Sequence, residues 1–151
     1  MPSYRQGEPF SAARRAEDFS MKVGGRQARL SEFRGKIVVL NFWASYCGSC
    51  VQELPDLDQL QERIRSRGGV VLAVSIDDNC ASYEDFLRMH PVRFQTTCEP
   101  TKKVSLEYGT VMIPETYLID REGLIARKII GPQQWASAQM TNYFDDLLAR
   151  N

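Results

Sequence analysis

The chain is 151 residues long, the size of one domain, and 43% of it is hydrophobic, enough for a single buried core. Nineteen basic residues balance nineteen acidic ones, so charge gives no argument for nucleic acid or another polyanion as partner. The longest apolar stretch, residues 37–44 with Asn41 inside it, is far too short to span a membrane, and the N-terminus lacks the apolar centre of a signal peptide.

Residues 1–15 are polar and basic, without period, and read as a flexible arm ahead of one domain over 16–151. Two short runs, 19–23 and 26–30, flank Gly24-Gly25, a two-residue hairpin signal. One helical turn is expected at 30–33. Residues 37–43 (I-V-V-L-N-F-W) are almost wholly β-branched, aliphatic or aromatic, which predicts a strand buried on both faces. Cys47-Gly48-Ser49-Cys50 follows. Leu54, Leu57, Leu60 and Ile64 then recur at helical spacing. Acidic residues lie early in that helix and Arg63, Arg65 and Arg67 late, in keeping with the macrodipole; Gly68-Gly69 supply the stop, and Pro55 predicts a kink. Residues 70–76 form a second apolar strand. Asp77-Asp78-Asn79 ends it and can cap a helix over 81–89. A strand over 92–96, a helix over 101–108 closed by Gly109, strands over 115–119 and 124–130 joined by a turn, and a final helix over 134–149 complete the chain. The inner face of that last helix is expected to carry Trp135, Phe144, Leu147 and Leu148. Alternating strands and helices between 37 and 96 imply parallel strands with right-handed crossovers, and the terminal hairpin an antiparallel edge. The fold class is α/β, a mixed central sheet flanked by helices.

The two cysteines therefore sit where a buried strand hands over to a helix N-terminus. There Cys47 faces solvent beside unpaired backbone N–H groups, which lower a thiol pKa, while Cys50 lies one turn on and deeper, placed to attack a mixed disulfide at Cys47. Half a zinc site and two unrelated core cysteines are the alternatives; a strand before and a helix after favour redox chemistry.

With these residues in view, N-F-W-A-S-Y-C-G-S-C-V-Q-E-L-P resembles the active-site segment of the TlpA/ResA-type thiol–disulfide oxidoreductases of the thioredoxin superfamily. Residues 112–123 (M-I-P-E-T-Y-L-I-D-R-E-G) are similar to the segment carrying that family's cis-proline, and 16–36 to its opening hairpin. The resemblance implies a thioredoxin-like fold in which the helix and strand over 81–96 are an insertion. It implies dithiol–disulfide exchange with protein partners, catalytic Cys47 and Cys50, a cis-Pro114 beside the disulfide, and substrate contacts at Trp43, Tyr46, Ile113 and Pro114. It also points to Glu53, three residues after the second cysteine, as a proton acceptor, because Asn41 stands where thioredoxin has a buried aspartate and cannot take a proton. A solvated helix-start carboxylate is the alternative for Glu53. Gly48-Ser49 and Tyr46 depart from the family's usual Pro and Trp, which leaves the redox poise open.

Cys80 and Cys98 are not family features. Both fall just past predicted strand ends, on the rim that carries Cys47, so a disulfide between them is feasible; two free thiols are the alternative. His90, the only histidine, is expected at a helix end. No organic cofactor or metal is implied. The expected partners are protein disulfides or dithiols and an upstream thiol donor, with no nucleic acid, and the expected state is a monomer. The resemblance suggests the bacterial periplasm or the outer face of the membrane, with an N-terminal anchor absent from this chain as the only membrane link; a cytoplasmic protein is the other reading. A peroxiredoxin-like thiol peroxidase and a non-catalytic binding module are competing functions, the first disfavoured by Ser45-Tyr46 where a threonine is needed.

Overall fold

The computed structural model describes residues 14–150. In chain order it holds β1 (Arg14–Arg15), β2 (Ser20–Val23), β3 (Arg26–Arg29), a 3-10 turn (Leu30–Phe33), β4 (Ile37–Trp43), α1 (Gly48–Ile64), a second 3-10 turn (Arg65–Arg67), β5 (Gly69–Ser75), α2 (Cys80–Met89), β6 (Gln95–Cys98), α3 (Lys103–Glu107), β7 (Glu115–Ile119), β8 (Leu124–Ile130) and α4 (Ala138–Ala149). β2 and β3 make a separate hairpin, and the other six strands form one mixed sheet in the order β1-β8-β7-β4-β5-β6. β4, β5 and β6 are parallel; β7 is antiparallel to β4, and β8 to β7.

Every residue of β4 is buried, because both of its faces are covered. Side chains alternate across a strand, so Ile37, Val39 and Trp43 meet Leu54, Leu57 and Leu60 of α1 and Phe144 of α4 on one side. Val38, Leu40 and Phe42 meet Tyr108, Tyr117 and Met21 on the other. Each such large side chain contributes about 1.5–3 kcal/mol when fully buried. Asn41 follows the same alternation onto the α1 face, where a polar group needs a partner. α1 runs on through Pro55. Gly68, at φ 84°, takes the left-handed turn that starts β5.

The structure departs from the sequence reading in four places. Of the expected arm, residues 1–13 lie outside the described residues; Arg14 and Arg15 are strand, paired with Ile125 and Leu124, so that β1 rather than the terminal hairpin is the edge on that side. The strand expected over 92–96 begins at Gln95 and ends at Cys98, because the Asp58 carboxylate takes the backbone N–H groups of Arg93 and Phe94 at 2.7 and 3.2 Å, off the ladder. The helix expected over 101–108 is only Lys103–Glu107: Lys102 stands at φ 61°, outside the helical region, and Glu99 receives the N–H groups of Lys103 and Val104. The last helix begins at Ala138, with Ser137 as its N-cap accepting from Met140 N, and Trp135 lies in the preceding loop. That loop is drawn inward by α1, as described below.

Candidate active site

Three segments meet at the end of β4: the turn and first residues of α1, the loop before β7, and the loop before α4. Ala44 O accepts from Cys47 N at 3.1 Å, closing a turn that sets Cys47 as the N-cap of α1. The Cys47 sulfur accepts from Cys50 N at 3.2 Å. Cys47 and Cys50 are joined in a disulfide, with Cα atoms 5.2 Å apart. Cys47 is half-buried and Cys50 wholly buried. In the dithiol state the orphan N–H groups of the helix start favour the thiolate of Cys47.

The loop before β7 brings its backbone to the same sulfur: Ile113 O lies 3.9 Å from Cys47 Sγ, and the Ile113–Pro114 peptide is cis. Pro114 is buried and Ile113 half-buried. Around them Tyr46, Val111 and Met112 stand 66%, 80% and 62% exposed, an apolar rim at the disulfide. The loop is tied from beneath by Glu115, whose carboxylate accepts from Val111 N and Met112 N at 3.3 and 3.2 Å and pairs with Lys128 at 3.4 Å. Sequence reasoning missed this residue; a charged side chain opening an otherwise buried strand was the available signal. Trp43, expected among the substrate contacts, is corrected. It is 0% exposed, packs on Tyr83 and Phe86, and donates through Nε1 to Thr96 Oγ1. The even-odd alternation of β4 turns it into the core, away from the exposed rim.

Glu53 is not the solvated helix-start carboxylate of the alternative reading: 3% of it is exposed. Its Oε1 accepts from Asn41 Nδ2 at 3.1 Å, and its Oε2 from Gln133 N and Trp135 Nε1, both at 3.0 Å. These bonds hold the loop before α4 against α1. Burial pushes the carboxyl above the ordinary glutamate range; the three donors oppose the shift, and Asp56 adds to it. Asn41 also donates to Thr116 Oγ1, while its own Oδ1 has no partner among the described residues. The result is a buried acid of raised pKa one helical turn from Cys50. Gln133 and Trp135 carried no sequence signal for this, since they lie 80 and 82 residues away along the chain.

Cys80, the first residue of α2, and Cys98, the last of β6, form a second disulfide with Cα atoms 5.9 Å apart. Cys98 is thus within its strand rather than past the end. His90 caps α2 and stacks on Phe86, ring centroids 4.7 Å apart. Among the described residues no group of three or more His, Cys, Asp or Glu is placed to hold a metal ion.

The AhpC/TSA family matches residues 12–128 of this chain. The thiol-disulfide oxidoreductase ResA of Bacillus thuringiensis subsp. konkukian is 25% identical over 131 residues, 86% of this chain and 76% of that protein. ResA of Geobacillus thermodenitrificans is 32% identical over 117 residues, 77% and 67% of the two chains. A crystal structure from Chlorobium tepidum, solved under the name thiol:disulfide interchange protein DsbE, superposes with a TM-score of 0.84 at 28% identity, covering 92% of this chain and 99% of that one.

Proposed function

This chain belongs to the AhpC/TSA family, with a thioredoxin-like fold, and we propose that Cys47 and Cys50 carry its chemistry with Glu53 as their proton acceptor. It is a thiol–disulfide oxidoreductase, and its substrates are protein thiols and disulfides. The observation that supports the assignment is the Cys47 sulfur itself: half-exposed, at a helix N-cap, accepting a backbone N–H, with a second sulfur one turn deeper.

In the reducing direction the Cys47 thiolate attacks one sulfur of a substrate disulfide. The substrate S–S bond breaks, its other sulfur leaves as a thiolate that takes a proton, and a mixed disulfide forms at Cys47. Cys50 then gives up its proton and attacks Cys47 Sγ. The second substrate sulfur departs, and the Cys47–Cys50 bond closes with two electrons passed to the substrate. Glu53 takes the proton from Cys50, since its raised pKa lies nearer the working pH than that of an ordinary carboxylate. The reverse sequence oxidises a dithiol. Tyr46, Ile113 and Pro114 receive the substrate chain, against the exposed Val111 and Met112. An upstream thiol donor resets the pair, and the working unit is a monomer.

The Cys80–Cys98 bond supports an oxidising compartment, the periplasm or the outer face of the membrane, as the place of work. Among the described residues no helix is long and apolar enough to cross a membrane. The test is turnover of a protein disulfide by the reduced protein and by Cys47→Ser. Loss of at least about a hundredfold is expected in the variant, the scale of removing a nucleophile. Wild-type activity in Cys47→Ser would refute the assignment. Peroxide consumption in the same assay faster than disulfide exchange would instead identify a thiol peroxidase.

A further inference from the structure

Asp77 is 2% exposed, and no part of the chemistry above uses it. It stands just past β5, and its carboxylate is aimed at the turn that leads into Cys47. Oδ1 accepts from Ser45 N at 2.9 Å and from Ser75 Oγ at 2.5 Å, and Oδ2 accepts from Ser45 Oγ. Its own N–H donates to Ser75 Oγ at 3.0 Å. The segment is also clamped by its backbone, since Ile76 N donates to Trp43 O at 2.8 Å. Cys98 Sγ packs 3.7 Å from Asp77 O, so the second disulfide also borders the loop. Among the described residues the Asp77 carboxylate has no cationic partner; Lys102 pairs with Asp78 instead, at 3.0 Å.

A buried carboxylate without a counter-ion is expensive and persists where its hydrogen bonds hold something in place. Here they hold both donors of Ser45. The turn spans Ala44 to Cys47, and Ser45 N is an inner donor that β4 and β5 leave unpaired. With Ser45 fixed, Cys47 keeps the N-cap position in which its sulfur accepts from Cys50 N. We propose that Asp77 is a positioning residue for thiol–disulfide exchange: it fixes the Ser45 turn, and through it the Cys47 sulfur, at the N-terminus of α1. This rests on Cys47 being the nucleophile.

Position and charge make opposite demands, which makes the inference testable. If Asp77 positions Cys47, its removal frees the sulfur from the helix start, and the thiol pKa rises toward the ordinary value of about 8.5. If it acts by its negative charge, removal relieves a repulsion and the pKa falls. The other charged groups on the elements around the turn, Asp78 and Lys102 on the rim and Glu53 in α1, are the same in every variant. The reduced protein is alkylated with iodoacetamide between pH 5 and 10, and labelling of the Cys47 peptide is followed by mass spectrometry. Asp77→Ala should raise the apparent pKa and slow labelling at neutral pH by about threefold or more. Asp77→Asn, which keeps an acceptor for Ser45 N, should stay at or below the wild-type pKa. Ser45→Ala keeps the core intact should Asp77→Ala fail to fold; it removes one arm of the anchor, and should shift the pKa in the same upward direction by less. An unchanged or lowered pKa in Asp77→Ala, or in Ser45→Ala where the former does not fold, overturns the proposal, as does an equal rise in Asp77→Asn and Asp77→Ala. The labelling needs no protein substrate, so failure of exchange by the wild type would count against the proposed function and leave this result to be read separately.

Discussion

Cys47 and Cys50 differ in exposure more than in chemistry, and that difference assigns their roles. A substrate sulfur reaches Cys47 and not Cys50, which is wholly buried. Cys50→Ser should therefore accumulate a mixed disulfide at Cys47 with a disulfide-bearing substrate, seen as a mass shift on the Cys47 peptide, while Cys47→Ser should form none; trapping by Cys47→Ser would reverse the roles. Glu53 gives a second prediction. Its folded-state pKa is raised, so the folded chain favours the protonated form. That stabilising contribution is complete below the unfolded value of about 4.3 and is lost as pH rises through the folded value. Glu53→Gln has no such proton to lose. Urea denaturation across this range should show wild type losing stability relative to the variant as pH rises, and the variant should exchange more slowly with an altered pH–rate profile. Overlaid pH–rate profiles would make Glu53 structural only. The cysteine pair was legible because its signal is local, three residues apart between a strand and a helix. Asp77 and Glu115 were not: Asp77, after a strand, reads as its terminator, Glu115 opens one, and the roles of both depend on partners from other segments.

Between elements, the ties that hold the site are long in sequence. Cys80–Cys98 joins the start of α2 to the end of β6 across a separation of 18 residues, a loop whose closure is worth about 3 kcal/mol in the chain-entropy account. Cys80→Ala/Cys98→Ala should lower the melting temperature by roughly 6–12 °C on that basis for a chain of this size; an unchanged melting point would mean that the bond does not constrain the unfolded chain. Glu115 and Lys128 form a buried pair beneath the loop that presents Ile113. Glu115→Ala removes the carboxylate and leaves the Lys128 ammonium to the Gly109 carbonyl at 3.1 Å and the Tyr117 ring, 5.4 Å from its centroid, and should destabilise by about 3–5 kcal/mol in chemical denaturation. A loss under about 1 kcal/mol would show the pair to be solvated, as surface pairs are. Element bounds were legible where local pattern decides them: the strands expected over 115–119 and 124–130 are β7 and β8. They slipped where a distant side chain takes the backbone donors. Asp58, in α1, moves the start of β6; Glu53, also in α1, holds the segment ahead of α4 out of the helix.

For the whole molecule, the alternation of apolar strands and helices was enough to indicate parallel β4 and β5 with α1 crossing between them, and that crossover places a helix N-terminus over the sheet's rim. What the alternation could not show is that three loops converge there, one carrying the sulfurs, one the Ile113 carbonyl and one the Gln133 and Trp135 donors. The fold is thus a frame that holds one exposed sulfur between a helix start and a backbone edge, with a buried acid behind it. The most direct test is a redox titration of the intact protein against glutathione, reading the Cys47 and Cys50 peptides by mass spectrometry. The account predicts a single reversible two-electron transition, in which both thiols appear and disappear together. A pair that stays oxidised, or that reduces without returning, would contradict it.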